Sequence, residues 1–389
     1  MPRTGFATVP LDYGKCPRWL FERMKRLACG IVLAIREEFS SEEILKRLSD
    51  PIWFQSFGCV IGFDWNSSGL TTTTLGALKE GLRGLENELG IFVCGGKGKT
   101  SRKTPEQIQN WGEFLGLSEG NIKKLVYASK ISAKVDNSAL QDSFQIYHHN
   151  LIFSKSGQWT VVQQGMNVNF QRARRYHWFS LNVKDFVEEP HSGIVSDIRV
   201  KPLNLTAKES RENKKLSTEL AREEPKTFLR DIGLISEKTN SLGRQKRLPG
   251  FCEMELKNIE FHWHPVLKEK FDLKRLKKTI FFANSQEPQN FEKLLSLKGV
   301  GPKTIRALSL VSEIIYGAKP SYEDPARYSF AFGGKDGTPR PVEKDLMDKT
   351  LEIMEKGIKK AQISNREKIE AQRRLSSFRP SLRSVPKED

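Results

Sequence analysis

The sequence predicts a mixed α/β N-terminal half, built on a mixed sheet, and an all-α C-terminal half. Three observations predict it. Between residues 17 and 183, amphipathic helical runs alternate with short apolar, strand-like runs. Between 203 and 250, apolar residues thin out and charge accumulates. Between 294 and 317, two runs of helical period flank a glycine turn.

The elements follow in order. Residues 17–38 repeat apolar side chains at helical spacing, and SSEEILKRL (40–48) opens a second helix with a serine cap. GCVIGFDW (58–65) reads as a short apolar strand, a helix follows near 71–89, and IFVCG (91–95) returns as a strand. That β-α-β order predicts a partly parallel sheet. Helices are expected near 104–117 and 119–131. FQIYHHNLIF (144–153) and GQWTVVQQGM (157–166) read as a β-hairpin, and HWFSLNV (177–183) adds a strand. The expected division is an α/β domain over 1–202, which holds the chemistry, a charged connector over 203–250, a helical domain over 251–375 and a disordered tail over 376–389.

Composition narrows the partners. The 389 residues carry a net charge of +17. Residues 1–200 contribute +5 and residues 201–389 contribute +12, so the half with the glycine turn is the more basic. Such a surface attracts polyanions and makes binding salt-dependent. No apolar run approaches the roughly 20 residues a membrane-spanning helix needs, and the N-terminal segment has no signal-like apolar core. The five cysteines are scattered, with no CxxC pair, which argues against a cysteine zinc site, an iron–sulfur cluster or a disulfide framework. A reducing, cytoplasmic setting is expected.

The stretch LLSLKGVGPKTIRALSLVSEIIYG (294–317) resembles a helix-hairpin-helix, a motif of DNA repair and recombination proteins. Gly299 and Gly301 permit a tight turn, and Pro302 suits the first turn of the second helix. The N–H groups at that helix start are expected to hold a DNA phosphate, with Lys298, Lys303 and Thr304 beside them.

Four of the six histidines fall between 148 and 191: His148, His149, His177 and His191. Asp136, Asp142, Glu188 and Glu189 accompany them, and Asp64 ends the first predicted strand. Histidine with carboxylate suits Mg, Mn or Zn, and a metal on a phosphate activates water. The expected pocket gathers Asp64, Asp142, His148 or His149, and His177, with Glu189 and His191 as further ligands. Adjacent His148 and His149 face opposite sides of a strand, so one of them ligates. Any single histidine is more often a polar contact in a core. Two basic stretches are expected to grip DNA. QRARRYHWFS (171–180) offers Arg174 and Arg175 among aromatics, and GGKGKTSRKTP (95–105) offers Lys97, Lys99 and Arg102. The second stretch lacks the leading glycine of a Walker A loop, since Val93 stands there.

The blocks LSDPIWFQSFGCVIGFDWNSSGLTTTTLGALKEGL, AKVDNSALQDSFQIYHH, ARRYHWFS and DPARYSFAFGGKDGTPRPV resemble those of the domain-of-unknown-function family 763, found largely in archaea and some bacteria. That resemblance covers most of residues 5–375 and implies no particular activity. A narrower resemblance links the hairpin to helix-hairpin-helix DNA glycosylases. There a lysine follows the turn and an aspartate follows the second helix, positions that Lys303 and Asp324 match, although a VDTH-like segment is absent. Three functions are therefore expected in competition. The first is a metal-dependent DNA nuclease, the second a glycosylase or lyase using Lys303 and Asp324, and the third a non-enzymatic DNA-binding protein.

Overall fold

The computed structural model describes residues 16–63, 68–242, 271–326, 344–361 and 363–377. The fold is mixed α/β and mostly helical. Its centre is a five-stranded sheet of β1 (Ile91–Lys97), β3 (Gln145–Ser154), β4 (Trp159–Asn167), β5 (Arg172–Phe179) and β6 (His191–Val195), in that order. Every pairing in it is antiparallel. A two-stranded pair, β2 (Leu140–Gln141) with β7 (Leu203–Asn204), lies beside it.

The parallel arrangement expected from β-α-β order is therefore corrected. Its first strand is a helix. GCVIGFDW falls at the end of α3 (Pro51–Val60), and Phe63 ends that described stretch. Asp50 starts the helix by accepting from the N–H groups of Ile52 and Trp53, and Pro51 occupies its first turn. A continuous apolar run has no period of its own, so burial on all sides looks the same for a strand and a helix. The hairpin of β3 and β4 is as expected, and β5 begins five residues earlier than HWFSLNV suggested.

Both faces of the sheet are covered. On one side pack α6 (Thr104–Phe114), α7 (Glu119–Lys134), α8 (Arg211–Arg222), α9 (Pro225–Leu242), α10 (Leu273–Ser285), α11 (Phe291–Ser296) and α12 (Pro302–Ile314). Phe92, Leu151, Val161 and Trp178 point into that core. On the other side pack α1 (Arg18–Glu38), α2 (Ser41–Ser49), α3, α4 (Gly69–Gly81), α13 (Lys344–Lys360) and α14 (Asn365–Ser377), against Val93, Ile152, Val162 and Phe179. The short α5 (Glu86–Leu89) leads into β1. Strands buried on both faces read as near-continuous apolar runs.

The segment expected as an exposed connector packs into this core as far as residue 235. Leu220, Ala221, Phe228, Ile232 and Ile235 share one apolar cluster with the sheet and with α12. The C-terminal helices return to the N-terminal ones. A Cβ on Gly30 of α1 would stand 2.6 Å from the Ala361 Cα. Among the described residues, then, the packing does not part at 203. Residues 243–250 and the tail from 378 lie outside the described residues.

Candidate functional site

The alternation of the strands decides which expected residues can meet. On β5, Tyr176 and Trp178 face the α7 side, where Tyr176 Oη donates to Asp142 Oδ2 (2.7 Å) and Trp178 Nε1 donates to Asp136 Oδ2 (2.9 Å). Arg175 and His177 face the α3 side. There Arg175 Nε donates to His177 Nε2 (2.8 Å), Arg175 Nη2 donates to Gln55 Oε1 (2.8 Å), and His177 Nδ1 lies 3.1 Å from the Leu48 carbonyl. Asp142 and His177 thus lie on opposite faces of the sheet. The expected shared pocket is corrected accordingly: a one-residue step along a strand sends side chains to opposite cores. Among the described residues no group of three His, Cys, Asp or Glu side chains is arranged to hold a metal ion. Asp64 lies outside the described residues.

Asp142 belongs to a buried ion network. Arg174 Nη1 donates to Asp142 Oδ2 (2.9 Å), and its two Nη groups grip Asp324 (3.1 and 2.9 Å). Asp324 also accepts from the N–H groups of Val200 and Ala326. Burial pushes the Asp142 carboxyl up, against the pull of Arg174. Burial alone would lower Arg174, but Asp142, Tyr176 and Asp324 outweigh it and hold the guanidinium charged. Arg174 and Arg175 are 0% and 2% exposed, so neither is placed to touch DNA. Arg175 stacks over Phe54 at 4.7 Å, and burial brings its pKa down to about 9. The sequence signal for a basic, aromatic strand was real, but both arginines point into cores.

His149 is also committed to the core, between Ser129 Oγ (2.9 Å) and Gln163 Oε1 (2.8 Å), and burial lowers its pKa. His191 Nε2 faces Asp136 Oδ1 at 2.5 Å, an acid–imidazole pair that sequence reading did not single out. Glu189 is exposed and pairs with Lys208 (2.9 Å).

His148 is different. It lines a cavity of about 850 Å³ beside the start of β3, at the end of the strand pair it forms with Lys97. It is 1% exposed, and among the described residues neither ring nitrogen has a partner at good hydrogen-bond geometry, although the Asn150 side chain approaches the ring. Asn150, two residues on and on the same face, is also 1% exposed, and its Oδ1 is unpaired while its Nδ2 donates to the Cys94 carbonyl (3.0 Å). Burial brings the His148 pKa down to about 3, helped by His149 and Lys97 and opposed by the Asn150 amide. The ring is neutral at physiological pH, and beyond the Asn150 side chain neither its donor nor its acceptor is engaged among the described residues. The described lining includes Arg18, Lys79 and Lys97 and no acidic residue. Burial lowers the Lys79 pKa, and its ammonium holds the Gly95 carbonyl (2.9 Å) and Gln107 Oε1 (2.8 Å). Of the expected residues, His148 and Lys97 meet here, with Lys99 and Arg102 exposed on the loop that follows. Asn150, Arg18 and Lys79 were missed. The i, i+2 spacing of His148 and Asn150 was the signal that could have found one of them.

The glycine turn lies between α11 and α12. Gly299 has φ +89°, the left-handed region that favours glycine. Gly301 caps α12 in extended conformation with no side-chain cap, and the first paired amide of that helix is Ile305 N–H, donating to Gly301 O (3.0 Å). A Cβ on either glycine would meet nothing within 4 Å, so the turn opens outward. Lys298 and Lys303 are exposed, and the Thr304 side chain is buried. Lys134 on α7 fixes the opposite side of the turn, donating to the carbonyls of Leu295 (2.9 Å), Leu297 (2.9 Å) and Val300 (2.5 Å). A hollow of about 310 Å³ at the start of α12 is lined by Asp142, Gln145, Lys303 and Arg306. Lys303 opens on this hollow, whereas Asp324 lines a separate one of about 590 Å³ with His191 and Glu189.

No curated protein and no solved structure matches this chain. A family model matches it over residues 5–342, and on that match the chain belongs to the family described as protein of unknown function (DUF763).

Proposed function

We propose that this protein processes DNA, docking the duplex backbone at the turn Gly299–Thr304 without reading sequence and working on a strand at the cavity of His148. The observation that carries the reading is the open start of α12. Its first N–H groups lack an intrahelical acceptor, Gly301 adds no side chain, and two exposed lysines flank it. A helix N-terminus of this kind favours a phosphate. Gln145, in the hollow beside Lys303, and His148, in the basic cavity, are three residues apart on β3, roughly 10 Å along the strand. The hollow opens on the α12 side of the sheet and the cavity on the α4 side, so a strand held at the turn would reach the cavity around the end of β3, past the exposed Lys97, Lys99 and Arg102.

Phosphodiester hydrolysis is the reaction this reading favours. The described cavity lining offers one imidazole, one amide and the Cys16 thiol, with no group of three arranged to fix Mg, Mn or Zn alone. A divalent ion would arrive with the substrate phosphates, and the protein's part is to seat the end of the strand at His148 and to neutralise charge with Lys97 at the cavity mouth. The lyase reading has less support, because Asp324 is spent on Arg174 and on two backbone amides.

The test separates docking from chemistry. A Cβ on Gly301 meets nothing within 4 Å, and Gly301→Trp, which sets a bulky ring at the helix start, should weaken duplex affinity about tenfold or more. The parent's affinity should fall steeply with salt and be indifferent to sequence. Unchanged affinity in a folded Gly301→Trp variant removes the turn as the DNA contact. Labelled single-stranded, duplex, flap and damaged DNA, with and without EDTA, then report on the reaction. EDTA-sensitive cutting supports hydrolysis, borohydride-trappable cutting in EDTA supports the Lys303 lyase, and binding alone leaves a non-enzymatic DNA-binding protein.

A further inference from the structure

We infer that the cavity beside His148 is a pocket for a nucleoside phosphate. The inference deepens the reading of that cavity as the working site and is independent of the hairpin. Four features carry it.

The first is polar demand. His148 and Asn150 are both almost wholly buried, and apart from their approach to each other their two ring nitrogens and one carbonyl oxygen have no partner among the described residues. Buried polar groups left unpaired are costly, so such a set is kept where a ligand completes it. A neutral imidazole offers one donor and one acceptor, and the Asn150 oxygen a second acceptor. That mixed pattern matches the edge of a nucleobase, which also mixes donors and acceptors. It does not match a bare anion, which only accepts.

The second is charge. Arg18, Lys79 and Lys97 line the cavity, and no acidic side chain does so among the described residues. Lys97 is exposed at the mouth, its Nζ 5.9 Å from the Tyr147 ring centre. The exposed Arg18 and Lys97 at the mouth and neutral polar groups at depth place the phosphate outward and the base inward. The third is the wall. Leu20, Phe21, Phe63 and Leu75 give the lining an apolar, aromatic side suited to a heterocycle. The fourth is size, since about 850 Å³ accommodates a mononucleotide with its hydration. The ligand can be a free nucleotide or the phosphorylated terminal nucleotide of a strand, and the chemistry is the same for both.

The experiment uses the full-length protein and isothermal titration calorimetry. The probes are four deoxynucleoside monophosphates, inorganic phosphate, and a short oligonucleotide with or without a 5′-phosphate. A saturable, single-site signal is expected for at least one mononucleotide or for the phosphorylated oligonucleotide, and phosphate alone should bind far more weakly. Lys97→Ala should weaken nucleotide binding about tenfold. Binding by the free nucleotide assigns a small-molecule source, and binding by the phosphorylated end alone assigns a strand. Should His148→Ala fail to fold, the His148 ring resonances of the parent protein serve instead, and they should move on nucleotide addition. Gly301→Trp should leave nucleotide binding unchanged, so loss of duplex docking and loss of this pocket are read separately. The inference is overturned if phosphate binds as well as every nucleotide, if no probe binds at millimolar concentration, or if binding leaves the His148 resonances unmoved.

Discussion

Replacing Asp142 distinguishes a structural carboxylate from a chemical one. In the folded protein it is fully buried, salt-bridged to Arg174 and hydrogen-bonded to Tyr176. Asp142→Ala leaves the Tyr176 hydroxyl without its acceptor and Arg174 with Asp324 as its one remaining anion. Breaking a buried ion pair by removing one partner costs about 3–5 kcal/mol. That is a large fraction of the roughly 5–15 kcal/mol that holds a typical domain folded. For a chain of this size, about 1.2 °C is lost per kcal/mol, so the melting temperature should drop by about 4–6 °C. Asp142→Asn keeps the volume and an acceptor for Tyr176, and should lose less. Differential scanning calorimetry measures the shift, and duplex affinity at 20 °C should stay within about twofold of the parent. A variant that keeps its melting temperature within about 1 °C while losing DNA cleavage would refute the structural assignment.

Three further outcomes follow from the same geometry. Burial lowers the pKa of His148, to about 3, and also those of His149 and His177. The unfolded chain therefore binds more protons than the folded one between the usual histidine range near 6.5 and the depressed folded values. Stability should be fully present above that range and lost as pH falls through it, and denaturant midpoints that stay flat from pH 7 to pH 4 would contradict this. Fragments 1–202 and 203–389 made separately should each fail to unfold cooperatively, because one apolar cluster draws on both, and a cooperative melt from 1–202 alone would restore a domain boundary there. Lys134→Met should release the Leu295, Leu297 and Val300 carbonyls and speed amide exchange across residues 295–301, and unchanged exchange would show that the turn stands without it.

Local pattern made much of the fold legible. Helices α1, α2, α6 and α7 and the β3–β4 hairpin announce themselves through period and turn residues. The stretch 58–65 does not, because its residues are apolar on every side and the cap that makes α3 a helix sits eight residues upstream at Asp50. The antiparallel sheet was hidden for the same reason, since removing that strand removes the crossover. The site was legible by residue type but not by direction. Asp142, His148, His149, Arg174, Arg175 and His177 are all buried, and five of them find their partners on elements distant in sequence, such as α3, α7, β5 and Asp324. Polar strands of this kind look like binding surfaces in sequence, because nothing local reveals that Gln55 or Asp324 waits on the other side. Among the described histidines, His148 is the one whose two nitrogens lack a partner at good hydrogen-bond geometry, a distinction that needs the packing around it.

Lys134 shows how the sheet side of the molecule shapes the turn. A tight glycine turn exposes carbonyls on one side and N–H groups on the other, and a turn with both sides wet has no reason to keep one conformation. Here a half-buried ammonium gathers three carbonyls of the turn, and burial lowers its pKa. A lysine so placed still gains from three charge-assisted hydrogen bonds. The carbonyl side is thereby satisfied internally, and the N–H side at the start of α12 is left facing outward with no side chain above Gly301. Because Lys134 ends α7, whose face packs on the sheet that carries His148, the turn is fixed relative to the strand rather than hung from a free helical pair. The electrostatics agree with that geometry: the ammonium adds positive potential behind a helix start that already favours anions. The proposed function requires that the turn and the polar cavity be held rigidly relative to one another, and Gln145 and His148, both on β3, mark the two ends of the path it requires.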